Sequence, residues 1–194
     1  MSASTATRST HRAKLLQAAR ALLRERQYGN ITARDLVAAS NTNLGSIGYH
    51  FGSKEALLNE AIGLEFEEWT DAVIRATRIG SGPEPPTLAD SLRTVLDHYE
   101  TIRPYHHAYI EALARSARSP QLRDQLAAHY NRQRDRVAAL LREPGEEQIA
   151  ADAARNLASL IIAAVDGLLI QTFIDPGSAP TSQDLAAARE YAAH

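Results

Sequence analysis

The sequence predicts an all-α protein of about nine helices. A short N-terminal three-helix segment with a helix-turn-helix pattern is followed by a larger helical body. Three observations predict this. Apolar residues recur at steps of three and four along nearly the whole chain. The periodic runs are bounded by capping residues at their starts and by Gly, Asn or Pro at their ends. No stretch alternates Val, Ile, Thr and aromatics at the strand period, so no strand is expected.

The first helix reads from Lys14 to Arg26. Leu15, Leu16, Ala19, Leu22 and Leu23 share a face, with Arg20, Arg24 and Glu25 opposite. Tyr28-Gly29-Asn30 ends it. Thr32 caps a short second helix, with Asp35 completing a capping box and Ile31 and Leu36 at staple spacing. Ser40-Asn41-Thr42-Asn43 breaks it, and Asn41 suits the turn. Asn43 caps a third helix, Leu44 to Phe51, which Gly52-Ser53 stops. Ser53 opens a fourth helix towards Ile79, with Leu57, Leu58, Ala61, Ile62, Phe66, Trp69 and Val73 as its buried side.

Gly80 to Pro86 is a loop. Leu88, Leu92, Val95, Leu96, Tyr99 and Ile102 resume the helical period until Pro104, where a break is expected. A short helix follows through Tyr105, Tyr109, Ala112 and Leu113. Ser119-Pro120 restarts the chain as cap and first helical residue. Leu122, Leu126, Tyr130, Val137 and Leu141 line that helix, which Glu143-Pro144-Gly145 stops. A long helix from about Glu146 to Phe173 ends at Asp175-Pro176-Gly177. Thr181 and Asp184 box the start of a last helix, Ser182 to Ala193.

Composition excludes several classes. At 194 residues and 44% hydrophobic content the chain can fold without a disulfide or metal staple. It has no cysteine, hence no disulfide, thiol nucleophile or Cys-based metal site. His106 and His107 are adjacent and cannot share a helix face, and no H-E-x-x-H spacing occurs, so no metal or cofactor is expected. No nucleophile with a placed base and no Gly-rich phosphate loop is present, so the reading is non-enzymatic. Residues 1–10 lack an apolar signal core. The apolar run Leu157–Ile170, interrupted by Asp166, is read as too short to span a bilayer. A soluble, cytoplasmic protein without membrane contact is the expectation.

The formal charge of −2 conceals an asymmetry. Residues 1–54 carry eight Lys and Arg against Glu25 and Asp35, a net of +6, and residues 55–194 carry −8. Such asymmetry points to a nucleic-acid-binding segment joined to an acidic body. In a helix-turn-helix the second helix of the pair enters the major groove N-terminus first. Here it begins Asn43-Leu44-Gly45-Ser46. Asn43 and Ser46 can bond base edges or phosphate, Leu44 can pack on a thymine methyl, and Gly45 permits close approach. Tyr49 and His50, one turn on, face the flanking backbone. Lys54 adds charge at the start of the fourth helix. Tyr28, Ile47 and Phe51 are read as core. Arg8 and Arg12 belong either to an arm in the adjacent minor groove or to an untethered tail.

Residues 12–62 resemble the DNA-binding domain of TetR-like (tetracycline-repressor-like) bacterial regulators. The resemblance rests on Thr32-Ala33-Arg34-Asp35-Leu36-Val37 and on Asn43 to Leu57, with Tyr49-His50-Phe51 running into Ser53-Lys54-Glu55. The chain has Asn41 where the family often has Gly, and Gly48 where it usually has Tyr, so the operator sequence does not carry over. The resemblance implies phosphate contacts from Thr32, Tyr49, His50 and Lys54 and base contacts from Asn43, Leu44, Gly45 and Ser46, and Arg34 is a further candidate for DNA contact. It implies a homodimer on double-stranded operator DNA with inverted half-sites. It also implies a helical C-terminal domain that binds a small effector and dimerises through its last two long helices. Residues 1–54 are then the DNA-binding domain and 55–194 the effector-binding and dimerisation domain.

Within the larger domain, Trp69, His98, Tyr99, Tyr105, His106, Tyr109, Tyr130 and Phe173 are candidates for an effector pocket, because such pockets are apolar with a few polar tips. The long helix is apolar on more than one side. Its Leu157, Ile161, Ile162, Val165 and Leu169, with Leu185, Ala188 and Ala192 of the last helix, are candidates for a subunit interface. The function expected is a repressor released from DNA by a small molecule. The alternative is a DNA-binding adaptor that answers to a protein partner.

Overall fold

The structure, a computed structural model, describes residues 2–81, 87–142 and 150–185. Among them are eight α-helices, one 3-10 turn and no strand. The helices are α1 (Ser2–Glu25), α2 (Ala33–Ser40), α3 (Leu44–Phe51), α4 (Lys54–Ser81), α5 (Leu88–Asp97), α6 (Tyr99–Ser116), α7 (Pro120–Leu140) and α8 (Ala151–Ile174). The all-α expectation holds.

The local signals act as their chemistry predicts. Thr32 Oγ1 accepts from Asp35 N–H at 3.1 Å, and Thr32 N–H donates to Asp35 Oδ2 at 2.8 Å, so both halves of the box are made. Asn41 takes the left-handed conformation, φ 50°, that turns the chain out of α2. Gly52, at φ 80° and ψ −41°, ends α3 in a positive-φ conformation that glycine adopts without a Cβ clash. Ser53 Oγ accepts from Ala56 N–H at 3.0 Å and starts α4. Ser119 Oγ accepts from Leu122 N–H at 3.4 Å, with Pro120 in the first helical place. Thr181 Oγ1 accepts from Asp184 N–H at 3.2 Å and opens the turn 182–185.

Three boundaries differ from the sequence reading. Helix α1 reaches back to Ser2 rather than starting near Lys14. The break expected at Pro104 falls at His98, and Pro104 lies inside α6. Pro104 lacks the N–H that would reach Glu100 and crowds that carbonyl, which kinks a helix without having to end it, whereas His98 leaves the helix at φ −101°, ψ 3°. There the His98 ring also donates from Nδ1 to the Thr94 carbonyl at 2.9 Å, competing with the next turn's backbone donor. The long helix starts at Ala151 rather than near Glu146.

The chain packs as two compact units. The first lies within Met1–Glu67 and Ile102–His129, the second within Glu68–Thr101 and Tyr130–His194. In the first, Leu15, Leu23, Ile31, Leu36, Leu57, Leu58, Ile62 and Ile102 are fully buried around Tyr28. The Tyr28 hydroxyl donates to Asn59 Oδ1 at 2.9 Å, which satisfies a phenol that burial would otherwise penalise. In the second, Val137 and Ala138 of α7 meet Ala154 and Ala158 of α8, with Leu141, Ile161 and Ile162 packed against them. By length and composition α8 is apolar enough to cross a membrane, with mean hydropathy 2.0, contrary to the reading of Leu157–Ile170 as too short.

Candidate functional site

Helices α1, α2 and α3 form the helix-turn-helix. Its fixed point is Tyr28, Ile47 and Phe51, all buried as expected of core residues. With Ile47, Phe51 and Ser46 turned inward, α3 presents its other side. Asn43, Leu44, Gly45, Gly48 and Tyr49 are exposed, and His50 is half-buried. Leu44 and Tyr49 are 54% and 69% exposed, an apolar surface open to solvent. A methyl group added at Gly48 would meet no atom within 4 Å. The outer face of α3 is therefore shallow and open, suited to a groove.

The DNA-contact candidates divide. Thr32 and Arg34 are exposed at the start of α2, and among the described residues Arg34 makes no ion pair. The Thr32 hydroxyl is engaged with Asp35 Oδ2 at 2.6 Å. That bond, with Thr32 N–H and Arg26, holds the Asp35 carboxyl below the usual carboxylate range. Asn43 accepts from Ser46 N–H at 3.0 Å while remaining exposed. Tyr49 and His50 stack edge to face, ring centroids 4.9 Å apart. Two candidates are placed otherwise. Ser46 is 8% exposed, its hydroxyl 3.4 Å from His11 Nδ1. Lys54 donates from Nζ to the Ile31 carbonyl at 2.9 Å and lies 3.4 Å from Glu55. Both tie elements together rather than standing free on the surface.

Among the described side chains, five bases of the first 54 residues lie against carboxylates within the fold, Lys54 with Glu55 being one of them. Arg12 pairs with Glu60, and its guanidinium sits 5.2 Å over the Phe51 ring, which anchors it away from any untethered tail. Arg20 pairs with Glu65. Arg24 donates to the Tyr105 hydroxyl and lies 3.7 Å from Glu65, and Arg26 lies 3.2 Å from Asp35. Glu60 and Glu65 lie beyond residue 54, so the count by segment missed them.

The eight effector candidates do not fall in one unit. Tyr105, His106 and Tyr109 belong to the first, where they are buried. Tyr105 joins the Arg24 and Glu65 network, and burial pushes its hydroxyl up to about 12. Burial, with His107 adding to it, lowers His106 to about 4. Tyr109 packs on Phe66, centroids 4.7 Å apart. Trp69, His98, Tyr99, Tyr130 and Phe173 belong to the second unit. Trp69 donates from Nε1 to the His98 carbonyl at 3.1 Å. The Tyr130 hydroxyl donates to Asp166 Oδ2 at 2.7 Å. The sequence alone assigns Asp166 no place in a binding site.

The interface candidates are also redistributed. Leu169 is 2% exposed, inside its own unit, and Ile161 and Ile162 pack on the α7 cluster; Val165 and Leu185 are half-buried. Ala188 and Ala192 lie outside the described residues. Leu157, at 40% exposure, stays open. It is joined by Leu160, and by Ile170, Phe173 and Ile174, which the same steps of three and four reach.

A capped helix-turn-helix with a bare second helix, continued by a longer run of helices, defines a two-part helical regulator of the DNA-binding type. The comparisons agree. Residues 15–61 match the family described as bacterial regulatory proteins, tetR family, and residues 83–194 match the tetracyclin repressor-like C-terminal domain. The chain belongs to the TetR family of transcriptional regulators. Among solved structures it is similar to a protein assigned to the transcriptional regulators from Rhodococcus sp. RHA1, at 20% identity and TM-score 0.69, covering 94% of each chain. It is similar to the multidrug binding protein EbrR complexed with proflavin, at 23% identity and TM-score 0.64, covering 93% of this chain and 96% of that one. It is also similar to a protein assigned as a regulator from Saccharomonospora viridis in complex with choline, at 22% identity and TM-score 0.59, covering 96% and 97%. No curated protein matches the chain.

Proposed function

We propose that the chain is a non-enzymatic, cytoplasmic repressor that binds an operator as a homodimer and leaves it when a small molecule occupies the C-terminal body. The observation that carries this is the outer face of α3, where Leu44, Gly45, Gly48 and Tyr49 stand exposed beside Asn43. Arg34 and Thr32 flank it from α2 and supply phosphate contacts. A second copy covers the open side of α8, where Leu157, Leu160, Ile170 and Ile174 otherwise face water. Two recognition helices related by that two-fold read inverted half-sites about 34–36 Å apart or a multiple of it. The neighbours solved with proflavin and with choline support a small-molecule effector. Ligand acts by favouring a dimer geometry that does not fit the site, which requires unequal affinity for the two states.

Selection from fragmented genomic DNA tests the reading. A palindromic site enriched at moderate salt is expected, together with its release by a small molecule. Uniform, sequence-independent recovery would overturn it.

A further inference from the structure

We infer that the second unit holds a site for an organic cation, whose positive charge is met by the Asp166 carboxylate beside the Tyr130 ring. The inference deepens the effector-responsive reading above and rests on it.

Asp166 sits on α8, the most apolar helix of the chain, with Ile162 and Leu169 on neighbouring turns. Its partner is the neutral Tyr130 hydroxyl at 2.7 Å. Among the described residues no lysine, arginine or histidine pairs with it. The nearby cation is otherwise employed: Arg134 stacks 5.7 Å over the Tyr130 ring and donates to Asn131 Oδ1 at 3.1 Å. Burial raises the Asp166 carboxyl above its ordinary value, and the Tyr130 bond only partly offsets this.

A hydrogen bond to Tyr130 alone does not call for a carboxylate. An asparagine would accept the same hydroxyl and avoid the cost of a half-buried charge. What the carboxylate adds is an unmet negative charge, and a cationic ligand gains from it because the surroundings are poor in water. The setting favours an organic cation over a metal ion, since no group of three His, Asp or Glu residues able to hold a metal occurs among the described residues. An aromatic ring suits such a ligand: Phe173 lies seven residues along α8 on the same face and is 39% exposed, whereas the Tyr130 ring already carries Arg134. The net charge of −8 over residues 55–194 repels anions and draws cations in.

A pair of ions matched in size and opposite in charge, tetraphenylphosphonium and tetraphenylborate, tests the sign directly, with ethidium as a second cation. Trp69, the only tryptophan, lies in the same unit and reports binding by fluorescence, and calorimetry on the full-length protein checks it. At least one cation is expected to bind and the borate is not. Asp166→Asn, which keeps an acceptor for Tyr130, is expected to weaken the cation about ten- to a hundredfold. The same variant is expected to melt at or above the parent temperature, because it removes an uncompensated charge. Three results overturn the inference: binding of neither cation, borate binding as tight as phosphonium, or cation affinity unchanged in Asp166→Asn. A lowered melting temperature in that variant with unchanged affinity would show a purely structural pin. Operator release by a neutral or anionic compound, indifferent to Asp166→Asn, removes this inference and leaves the effector reading intact. An operator complex that no small molecule dissolves removes that reading instead.

Discussion

The side-chain carbonyl of Asn43 accepts the Ser46 N–H at 3.0 Å, and this bond starts α3 at the point where its outer face begins. One residue thus performs two tasks, satisfying an orphan backbone donor and standing exposed where bases are read. Asn43→Ala is expected to lower unfolding free energy by about 1 kcal/mol, the usual worth of an N-cap. Asn43→Ser, which caps equally well, should restore stability in a urea titration without restoring operator affinity. Recovery of both by serine would show that Asn43 acts only as a cap.

Lys54 tests how the positive charge is used. Its ammonium is 2.9 Å from the Ile31 carbonyl and 3.4 Å from Glu55, so it ties the start of α4 to the strap before α2. Lys54→Ala should cost about 1–2 kcal/mol of stability, in the range for a partly exposed hydrogen bond to a charged group. The slope of log affinity against log salt should stay unchanged. A slope reduced by about 1 would mean that Lys54 leaves Ile31 for a phosphate on binding.

The helix-turn-helix was legible because its signals are local. Thr32 with Asp35, Asn41, Asn43 and Gly52 each act within four residues of where they stand, so spacing alone reveals them. Pairings across the fold were not legible. Nothing near Arg20 in sequence shows that Glu65 neutralises it, or that Arg24 reaches the phenol of Tyr105. The basic count over residues 1–54 therefore overstates the free charge of the DNA-facing module. Exposure on α8 was also half-legible. A helix apolar on two sides announces two partners, but only packing shows that Leu169 turns inward and Leu160 outward. Asp166 read as an interruption because its meaning depends on Tyr130, thirty-six residues away.

The open face of α8 predicts the oligomeric state. Leu160 is 69% exposed, so Leu160→Glu disturbs little inside its own subunit. In an intersubunit helical bundle it would bury a charge against a copy of itself. Sedimentation should show a monomer at concentrations where the parent is a dimer, with unchanged helical circular dichroism. Affinity for a palindromic operator should fall sharply while that for a half-site persists. A variant that remains dimeric would move the interface to another surface.

His106 predicts an acid limit to stability. Its side chain is 1% exposed, and burial, with the neighbouring His107, lowers it to about 4 against an ordinary 6.5. Between those values the unfolded chain binds a proton that the folded chain does not, so acid favours unfolding. The contribution is complete above pH 6.5 and is lost as pH falls towards about 4. A shift of this size corresponds to about 3 kcal/mol across that window. Urea midpoints measured from pH 7 to pH 4 should fall more steeply for the parent than for His106→Gln, which has no proton to take up. Parallel pH profiles would show that His106 is protonated inside the fold without cost. The slope of the difference separates this residue from the carboxylates. Asp35, whose pKa is lowered by Thr32, titrates at lower pH and is present in both proteins.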